Sequence, residues 1–251
     1  MSEMTNRASL VGVLATCFGL AVCAGDVIRA QQASSVAGLA RTPSVRAALE
    51  SAKTTEPQTI AQQIQFCEVP APPFQETARG VLVRRAFEEL RLKNVRVDRV
   101  GNVLGERPGL SGNPRLVVAA HLDTVFPEGT DVKVRRDGSR LSGPGIGDNC
   151  RGLAVLVAIA RAMDRAQVQT PGTVTFVANV GEEGLGDLRG MKELFAGDRA
   201  SQIDRFVTID NAGISITNRA VGSLRYRVTF KGPGGHSFGA FGLANPANAL
   251  G

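Results

Sequence analysis

The sequence contains no tryptophan, one tyrosine and two histidines among its 251 residues. Proteins that bind nucleic acids usually combine clustered basic residues with stacking aromatic side chains. Here the 29 Lys and Arg residues are scattered, although they exceed the 23 Asp and Glu residues and leave a net charge of +6. We therefore interpret the excess as a solvated basic surface and predict no nucleic-acid partner.

Cysteine is also scarce, with four copies in the chain. Cys17 and Cys23 lie in an apolar N-terminal stretch, so only Cys67 and Cys150 remain elsewhere. This number excludes a disulfide framework of the kind found in small secreted domains. The remaining pair could bond in an oxidising compartment, but the sequence does not give their distance in space.

The N-terminal stretch, residues 8–24, is uncharged, follows Arg7 and ends in Val22-Cys23-Ala24. This pattern is typical of a secretory signal peptide. We expect residues 1–24 to be removed and the protein to be exported to the periplasm or the extracellular space. A retained membrane anchor and a lipoprotein are alternatives, but the apolar stretch is short for a bilayer span, and lipoproteins usually carry a small residue where Val22 stands.

The rest of the chain predicts an α/β fold. Residues 25–43 are rich in Ala, Ser and Gln and indicate a flexible lead-in. Apolar spacing predicts helices over residues 45–53, 59–66, 76–91 and 153–163. Apolar runs and alternation predict strands over residues 95–100, 116–120, 174–178 and 206–209. Strands that alternate with helices indicate a largely parallel sheet.

The pattern changes after residue 213. Residues 224–231 alternate apolar side chains with polar, mostly basic ones, which predicts a strand with one solvated face. The residues that follow are too few to complete a domain. We therefore assign residues 44–213 to one domain and residues 214–251 to the start of another.

One histidine and several acids follow strand-like or glycine-rich stretches: His121, Asp123, Asp148, Glu182, Glu183 and Asp210. His121 and Asp123 would project from the same face of a strand, and Asp123 would then fix the tautomer of the imidazole. Open α/β sheets bind ligands at the carboxyl ends of their strands. The set predicts a metal site that suits zinc, with cobalt or manganese as alternatives.

Each of these motifs also has an ordinary structural explanation. His121 could have Asp123 as a simple capping neighbour, and Asp148 could be a helix N-cap, a role in which aspartate is favoured. The pair Glu182-Glu183 could lie in a solvated loop, yet adjacent carboxylates resist joint ionisation unless a cation or a proton intervenes. The convergence of all the motifs favours the metal site. The glycines before Asp148 match neither a phosphate loop nor a dinucleotide fingerprint.

Together, these motifs are similar to those of the M20 metallopeptidases and their deacylase relatives, in particular the peptidase T-like (tripeptide aminopeptidase) branch. The matching stretches are Ala71-Pro72-Pro73-Phe74-Gln75-Glu76, Gly101-Asn102-Val103, His121-Leu122-Asp123-Thr124, Gly147-Asp148-Asn149, Gly181-Glu182-Glu183-Gly184, Asp210 and Gly234-Gly235-His236-Ser237. The resemblance implies a zinc-exopeptidase catalytic domain over residues 44–213 and the start of an α+β lid or dimerisation domain over residues 214–251.

The resemblance also implies roles for individual residues. Asp148 would bridge two Zn²⁺ ions, with His121 and Asp210 completing one and Glu183 ligating the other. Glu182 would be the general base, and Asp123 would orient His121. His236 would stabilise the oxyanion of the reaction in a partner subunit, which implies a homodimer formed through the lid. Asn149 stands where the family more often has aspartate.

The function implied is that of a secreted zinc-dependent hydrolase of amide bonds, foremost an aminopeptidase on short peptides, with N-acyl amino acid deacylation as the alternative. A single-metal hydrolase using His121, Asp148 and Asp210 is a further alternative. The family's last metal ligand is a distant downstream histidine, and no histidine follows His236. We therefore expect the 251-residue chain to be an incomplete enzyme that is inactive by itself, or a non-catalytic copy kept for binding or dimerisation.

Overall fold

The computed structural model describes residues 36–211, 213–219, 222, 224 and 226–249. These residues fall into two compact units that divide between Gly213 and Ile214. The predicted signal peptide, residues 1–24, lies outside the described residues. Within them, no helix is both long enough and apolar enough to cross a membrane.

The helices of the first unit are α1 (Val36–Leu39), α2 (Pro43–Thr54), α3 (Glu56–Cys67), α4 (Thr77–Glu89), α5 (Cys150–Arg165) and α6 (Arg189–Leu194). Four of them, α2 to α5, agree with the predicted ones, whereas α1 and α6 were not predicted. Helix α2 begins at Pro43. Proline suits the first turn of a helix, because the backbone N–H that it lacks would have no acceptor within the helix there. Helix α1 is a short exposed helix inside the segment that we expected to be a flexible lead-in.

A five-stranded sheet forms the centre of this unit. Its strands are β1 (Lys93–Val97), β2 (Val103–Arg107), β3 (Leu116–His121), β6 (Val174–Asn179) and β7 (Arg205–Thr208), in the order β1-β2-β6-β3-β7. Strand β3 pairs in parallel with both β6 and β7, whereas β1 and β2 pair antiparallel. A separate hairpin joins β4 (Arg135–Asp137) to β5 (Arg140–Ser142). The predicted α/β class is confirmed.

Strands β2, β4 and β5 were not predicted, because each has few apolar residues. The predicted strand over residues 95–100 ends early, at Val97. The reason is the next side chain: one carboxylate oxygen of Asp98 accepts the backbone N–H groups of residues 100, 101 and 102 at 3.0, 3.0 and 2.9 Å. This closes a turn where the sequence pattern suggested a continuing strand.

The predicted strand over residues 224–231 is wrong. The described residues in this range belong to no strand. A strand requires backbone hydrogen bonds to a neighbour, and the described residues of the second unit contain no other strand to supply them. The one regular element described in this unit is the 3₁₀ helix Pro246–Ala249.

The core lies on both faces of the sheet. Side chains from α4 and α5 cover one face, where Phe87, Leu153 and Phe176 are 0% exposed. A smaller cluster with Leu194 of α6 covers the other face. Because successive strand residues alternate between faces, His121 shares the smaller cluster's face with Ala119.

Candidate metal centre

The parallel strands bring the predicted residues to one edge of the sheet. His121 ends β3, the pair Glu182-Glu183 follows β6, and Asp210 follows β7, while Asp148 precedes α5. Ligand-type atoms of His121, Asp148 and Asp210 lie within 4.8 Å of one another, and those of His121, Glu182 and Glu183 do the same. A single imidazole therefore belongs to two groups of acids.

The orientation of His121 is fixed by its own strand end. The residue is 2% exposed. Its Nδ1 lies 3.0 Å from the carbonyl oxygen of Asp123 and 3.6 Å from the carboxylate of the same residue. Its Nε2 lies 3.0 Å from Asp148 and 3.5 Å from Asp210. Asp123 thus lies beside His121 as predicted. Its backbone carbonyl oxygen is closer to Nδ1 than its carboxylate is, so the carbonyl is the nearer acceptor for an Nδ1–H.

The carboxylate of Asp123 has a second role that the sequence did not predict. Its two oxygens accept the backbone N–H groups of Glu182 at 3.0 Å and Glu183 at 2.8 Å. Burial raises the pKa of Asp123, but the contacts with His121 and with the two amides outweigh burial, and the pKa is lowered overall. One buried charge therefore fixes the backbone of both glutamates relative to His121.

A second buried acid holds the same turn from the other side. Glu76 accepts the N–H of Gly181 at 3.2 Å and binds Arg189 Nη2 with both carboxylate oxygens, at 2.6 and 2.7 Å. The guanidinium of Arg189 lies 4.5 Å from the ring centroid of Phe74. Gly181 has φ +66°, and a Cβ there would lie 2.1 Å from Arg189 Nη1, so the position requires glycine.

Asn102 completes this support. Its side-chain oxygen accepts the N–H of Val180 at 3.0 Å, and its Nδ2 donates to the carbonyl of Gly190 at 2.9 Å. Glu76 and Asn102 both belong to the motifs that carried the family resemblance, but their roles were missed. The sequence signal was a polar residue shortly after a turn-forming segment: Glu76 follows the proline-rich residues 70–73, and Asn102 follows Gly101.

Arg79 is a buried cation close to the centre. It is 1% exposed. Its Nη1 donates to the carbonyl oxygen of Leu122 at 2.6 Å, and its Nη2 donates to that of Val69 at 2.6 Å. Burial lowers the pKa of Arg79 to about 10, although the charge of Asp123 opposes this effect. Arg79 therefore supplies positive charge behind Asp123.

The turn that carries Asp148 is built differently. Asn149, not Asp148, is the N-cap of α5, because its Oδ1 accepts the N–H of Gly152 at 3.0 Å. The N-cap explanation for Asp148 is therefore wrong, and its side chain is free to face the site, 45% exposed. The Nδ2 of Asn149 donates to the carbonyl of Ile209 at 2.9 Å, which ties the turn to the residue before Asp210.

The charges at this edge favour a bound cation. Burial raises the pKa of both Glu182 and Glu183, and the neighbouring acids raise it further, while His121 lowers it. Burial lowers the pKa of His121, but Asp123 and Asp210 outweigh it and raise the pKa to about 10. One imidazole cannot balance this many acids. Imidazole nitrogen and carboxylate oxygen are ligands that fit zinc, cobalt or manganese.

His236 lies in the second unit. Its Nδ1 accepts the backbone N–H groups of Phe238 at 3.2 Å and Gly239 at 3.3 Å. The neutral ring therefore carries its proton on Nε2, where it can donate. The side chain is exposed, and its predicted role towards an oxyanion stays a prediction.

The pattern of this site matches a known family. The model of Peptidase family M20/M25/M40 matches residues 117–244, which is just over half of the chain. The chain belongs to this family. The predicted M20 resemblance is thereby confirmed. Carboxypeptidase G2 of Pseudomonas sp. (strain RS-16), a relative, is 31% identical over 118 residues, which are 42% of this chain and 28% of the relative.

Several solved structures share the fold of this chain. The di-peptidase Dug1p from Saccharomyces cerevisiae matches with a TM-score of 0.61 at 13% identity, over 83% of this chain and 52% of that one. The aminopeptidase PepT from Bacillus cereus matches with a TM-score of 0.51 at 20% identity, over 62% and 44%. YXEP from Bacillus subtilis, a dinuclear metal binding peptidase of the family, matches with a TM-score of 0.50 at 18% identity, over 63% and 44%. The chain thus spans about half or less of the length of these relatives.

Proposed function

We propose that this protein is a metal-dependent hydrolase of amide bonds that acts as an aminopeptidase on short peptides. The observation that carries the proposal is the sharing of the buried His121 by two groups of acids at one sheet edge. Membership of the M20 peptidase family supports it. Dug1p is a di-peptidase and PepT is an aminopeptidase. These similar structures favour a short peptide over an N-acyl amino acid as substrate.

The residues present would hold two metal ions, which we propose to be Zn²⁺. His121, Asp148 and Asp210 would hold one, and Asp148 and Glu183 would contribute to the other. Support comes from the donor types and from YXEP, a dinuclear metal binding member of the family. When bound, the ions would polarise the scissile carbonyl and lower the pKa of the attacking water.

Glu182 is then the general base. It neighbours the proposed ligand Glu183, and burial raises the pKa of its carboxyl towards the range in which a carboxylate accepts a proton from water and returns it to the leaving amine. Asp123 holds the Glu182 backbone, so the base keeps its position relative to His121. His236 would donate from Nε2 to the oxyanion in a partner subunit, a role supported by its free Nε2.

We further propose that the protein acts outside the cytoplasm. The apolar segment of residues 8–24 supports export. A disulfide between Cys67 and Cys150 supports the same compartment, because such bonds persist mainly in oxidising environments.

Exchanging each glutamate of the pair separately tests the proposal. In a chain that also supplies the downstream histidine expected from the family, Glu182→Gln should keep the metal stoichiometry and lower kcat by about 10²–10⁴-fold, the usual contribution of a general base. Glu183→Gln should instead lower the metal stoichiometry. The exposed Glu89→Gln is the matched control and should change neither. Metal analysis and turnover of short peptides and of N-acyl amino acids measure both effects, and retained turnover in Glu182→Gln would refute the general-base role.

A further inference from the structure

A disulfide joins helix α3 to the turn that carries Asp148. Cys67 ends α3 and Cys150 begins α5, and their bonded side chains place the two Cα atoms 5.4 Å apart. Both residues are 0% exposed. Cys150 is only two positions after Asp148, so the bond fixes the chain close to a proposed ligand. The pairing that the sequence left open is thus present in the fold.

The same helix contacts the turn on the other side of Asp148. Gln63 Nε2 donates to the carbonyl oxygen of Ile146 at 2.8 Å. The sulfur of Cys67 lies 3.3 Å from the carbonyl oxygen of Pro144. Gln63 and Cys67 are four positions apart on α3 and therefore lie on one face of the helix. That face holds the turn both before and after Asp148.

Asp148 depends on its backbone for its position. Its side chain is 45% exposed, and its hydrogen bond is to His121 Nε2 at 3.0 Å, the ring nitrogen proposed to ligate a metal. The turn has a further anchor in Asn149, which donates to Ile209. Contacts that hold a ligand's backbone affect metal affinity as hydrogen bonds to a ligand do, because both set ligand geometry.

We propose that the Cys67–Cys150 disulfide and Gln63 are positioning residues that hold Asp148 ready for the metal. The proposal rests on the metal function proposed above. A dithiol reagent reaches the buried sulfur atoms only after local opening. The disulfide is therefore a fixed support and not a redox switch.

The test compares Zn²⁺ affinities, measured by competition with a chelator, between the parent and two variants. The double variant Cys67→Ala/Cys150→Ala should bind Zn²⁺ about tenfold more weakly, in the range found when ligand-supporting contacts are removed. Gln63→Met keeps the disulfide but lacks the donor to Ile146, and it should weaken binding in the same direction by less. Phe66→Leu is the matched control, because it truncates a buried residue of the same helix, 1% exposed, away from these contacts. It should lower Tm and leave the affinity unchanged.

A second measurement uses the metal-free protein. The backbone N–H at position 150 donates to the carbonyl of Gly145 at 3.1 Å, and its hydrogen exchange should be faster in the double variant than in Phe66→Leu. Unchanged Zn²⁺ affinity together with unchanged exchange would overturn the positioning role and leave the disulfide as a general stabiliser. A parent protein that binds no Zn²⁺ would overturn the proposed metal site as well, so the two failures are distinguishable.

Discussion

The two turns that bring acids to the site are held by different kinds of contact. Residues 181–183 are held through their backbone N–H groups, which donate to the buried carboxylates of Glu76 and Asp123. Residues 143–149 are held by neutral hydrogen bonds from Gln63 and Asn149 and by the Cys67–Cys150 disulfide. One turn depends on buried charge, and the other depends on uncharged and covalent support.

This difference predicts unequal sensitivity to substitution. Each neutral hydrogen bond contributes only about 1 kcal/mol net, so the turn at 143–149 should tolerate the loss of any one of them. Around the turn at 181–183, removing one carboxylate leaves backbone N–H groups without their acceptor and takes the negative charge away from Arg189 or His121. A single exchange there should therefore cost several times more.

Asp123→Ala should have the largest effect. The substitution leaves the amides of Glu182 and Glu183 without their acceptor and removes the carboxylate that lies 3.6 Å from Nδ1 of His121, which is 2% exposed. Breaking a buried charge pair typically costs about 3–5 kcal/mol. Urea unfolding of the metal-free protein measures the loss. Asp123→Asn keeps one acceptor oxygen and should cost less, and a negligible loss in both variants would contradict the charge-based account.

Metal binding should join the two turns and has the next largest expected effect. Zn²⁺ at the proposed ligands, among them Asp148 of one turn and Glu183 of the other, would bind only the folded chain, which stabilises it by about 2.7 kcal/mol at a free concentration of 100 times Kd. Tm measured with Zn²⁺ and then with excess chelator gives the reversible shift. Asp148→Asn should lose most of the shift, whereas the exposed Asp198→Asn should keep it. An equal shift in both variants would show that Zn²⁺ binds elsewhere.

The parts of this molecule that sequence predicted are those with a local signal. Residues 116–120 and 174–178 are continuously apolar, as buried parallel strands require, and residues 153–163 are apolar around the helix. Parallel strands end at one edge, so the placement of His121 and the acids followed directly. Residues 224–231 gave an equally clear alternation, yet the described residues of this range belong to no strand, because a strand also needs a partner that the pattern does not describe.

The supporting contacts were not predictable because they connect distant positions. Glu76 and Arg189 are 113 positions apart, and Gln63 is 83 positions from Ile146. No periodicity relates such positions, and only the fold brings them together. The role of Asp123 shows the same limit. Its spacing from His121 was readable, whereas its bonds to the amides of residues 182 and 183 depend on how β3 lies beside β6.

Glu76→Gln isolates the contribution of charge to the turn at 181–183. The glutamine can still accept the N–H of Gly181, but it meets Arg189 without a negative charge. We expect a loss of about 2 kcal/mol in the free energy of unfolding, within the range for hydrogen bonds to charged groups. Arg84→Gln is the matched control, because its pair with Glu88 is solvated, with side chains 50% and 46% exposed. Exposed pairs of this spacing contribute about 0.3–0.5 kcal/mol.

The ratio of these two losses decides what kind of support Glu76 gives. Each of the two substitutions removes one charge of one ion pair. If Glu76→Gln lowers the free energy of unfolding much more than Arg84→Gln does, burial makes the Glu76–Arg189 pair more stabilising than the exposed pair. Equal small losses would mean that the amide of Gly181 is the contact that matters and that either acceptor satisfies it. In that case the turn at 181–183 would be held by neutral hydrogen bonds at this end, as the turn at 143–149 is, and only Asp123 would distinguish the two.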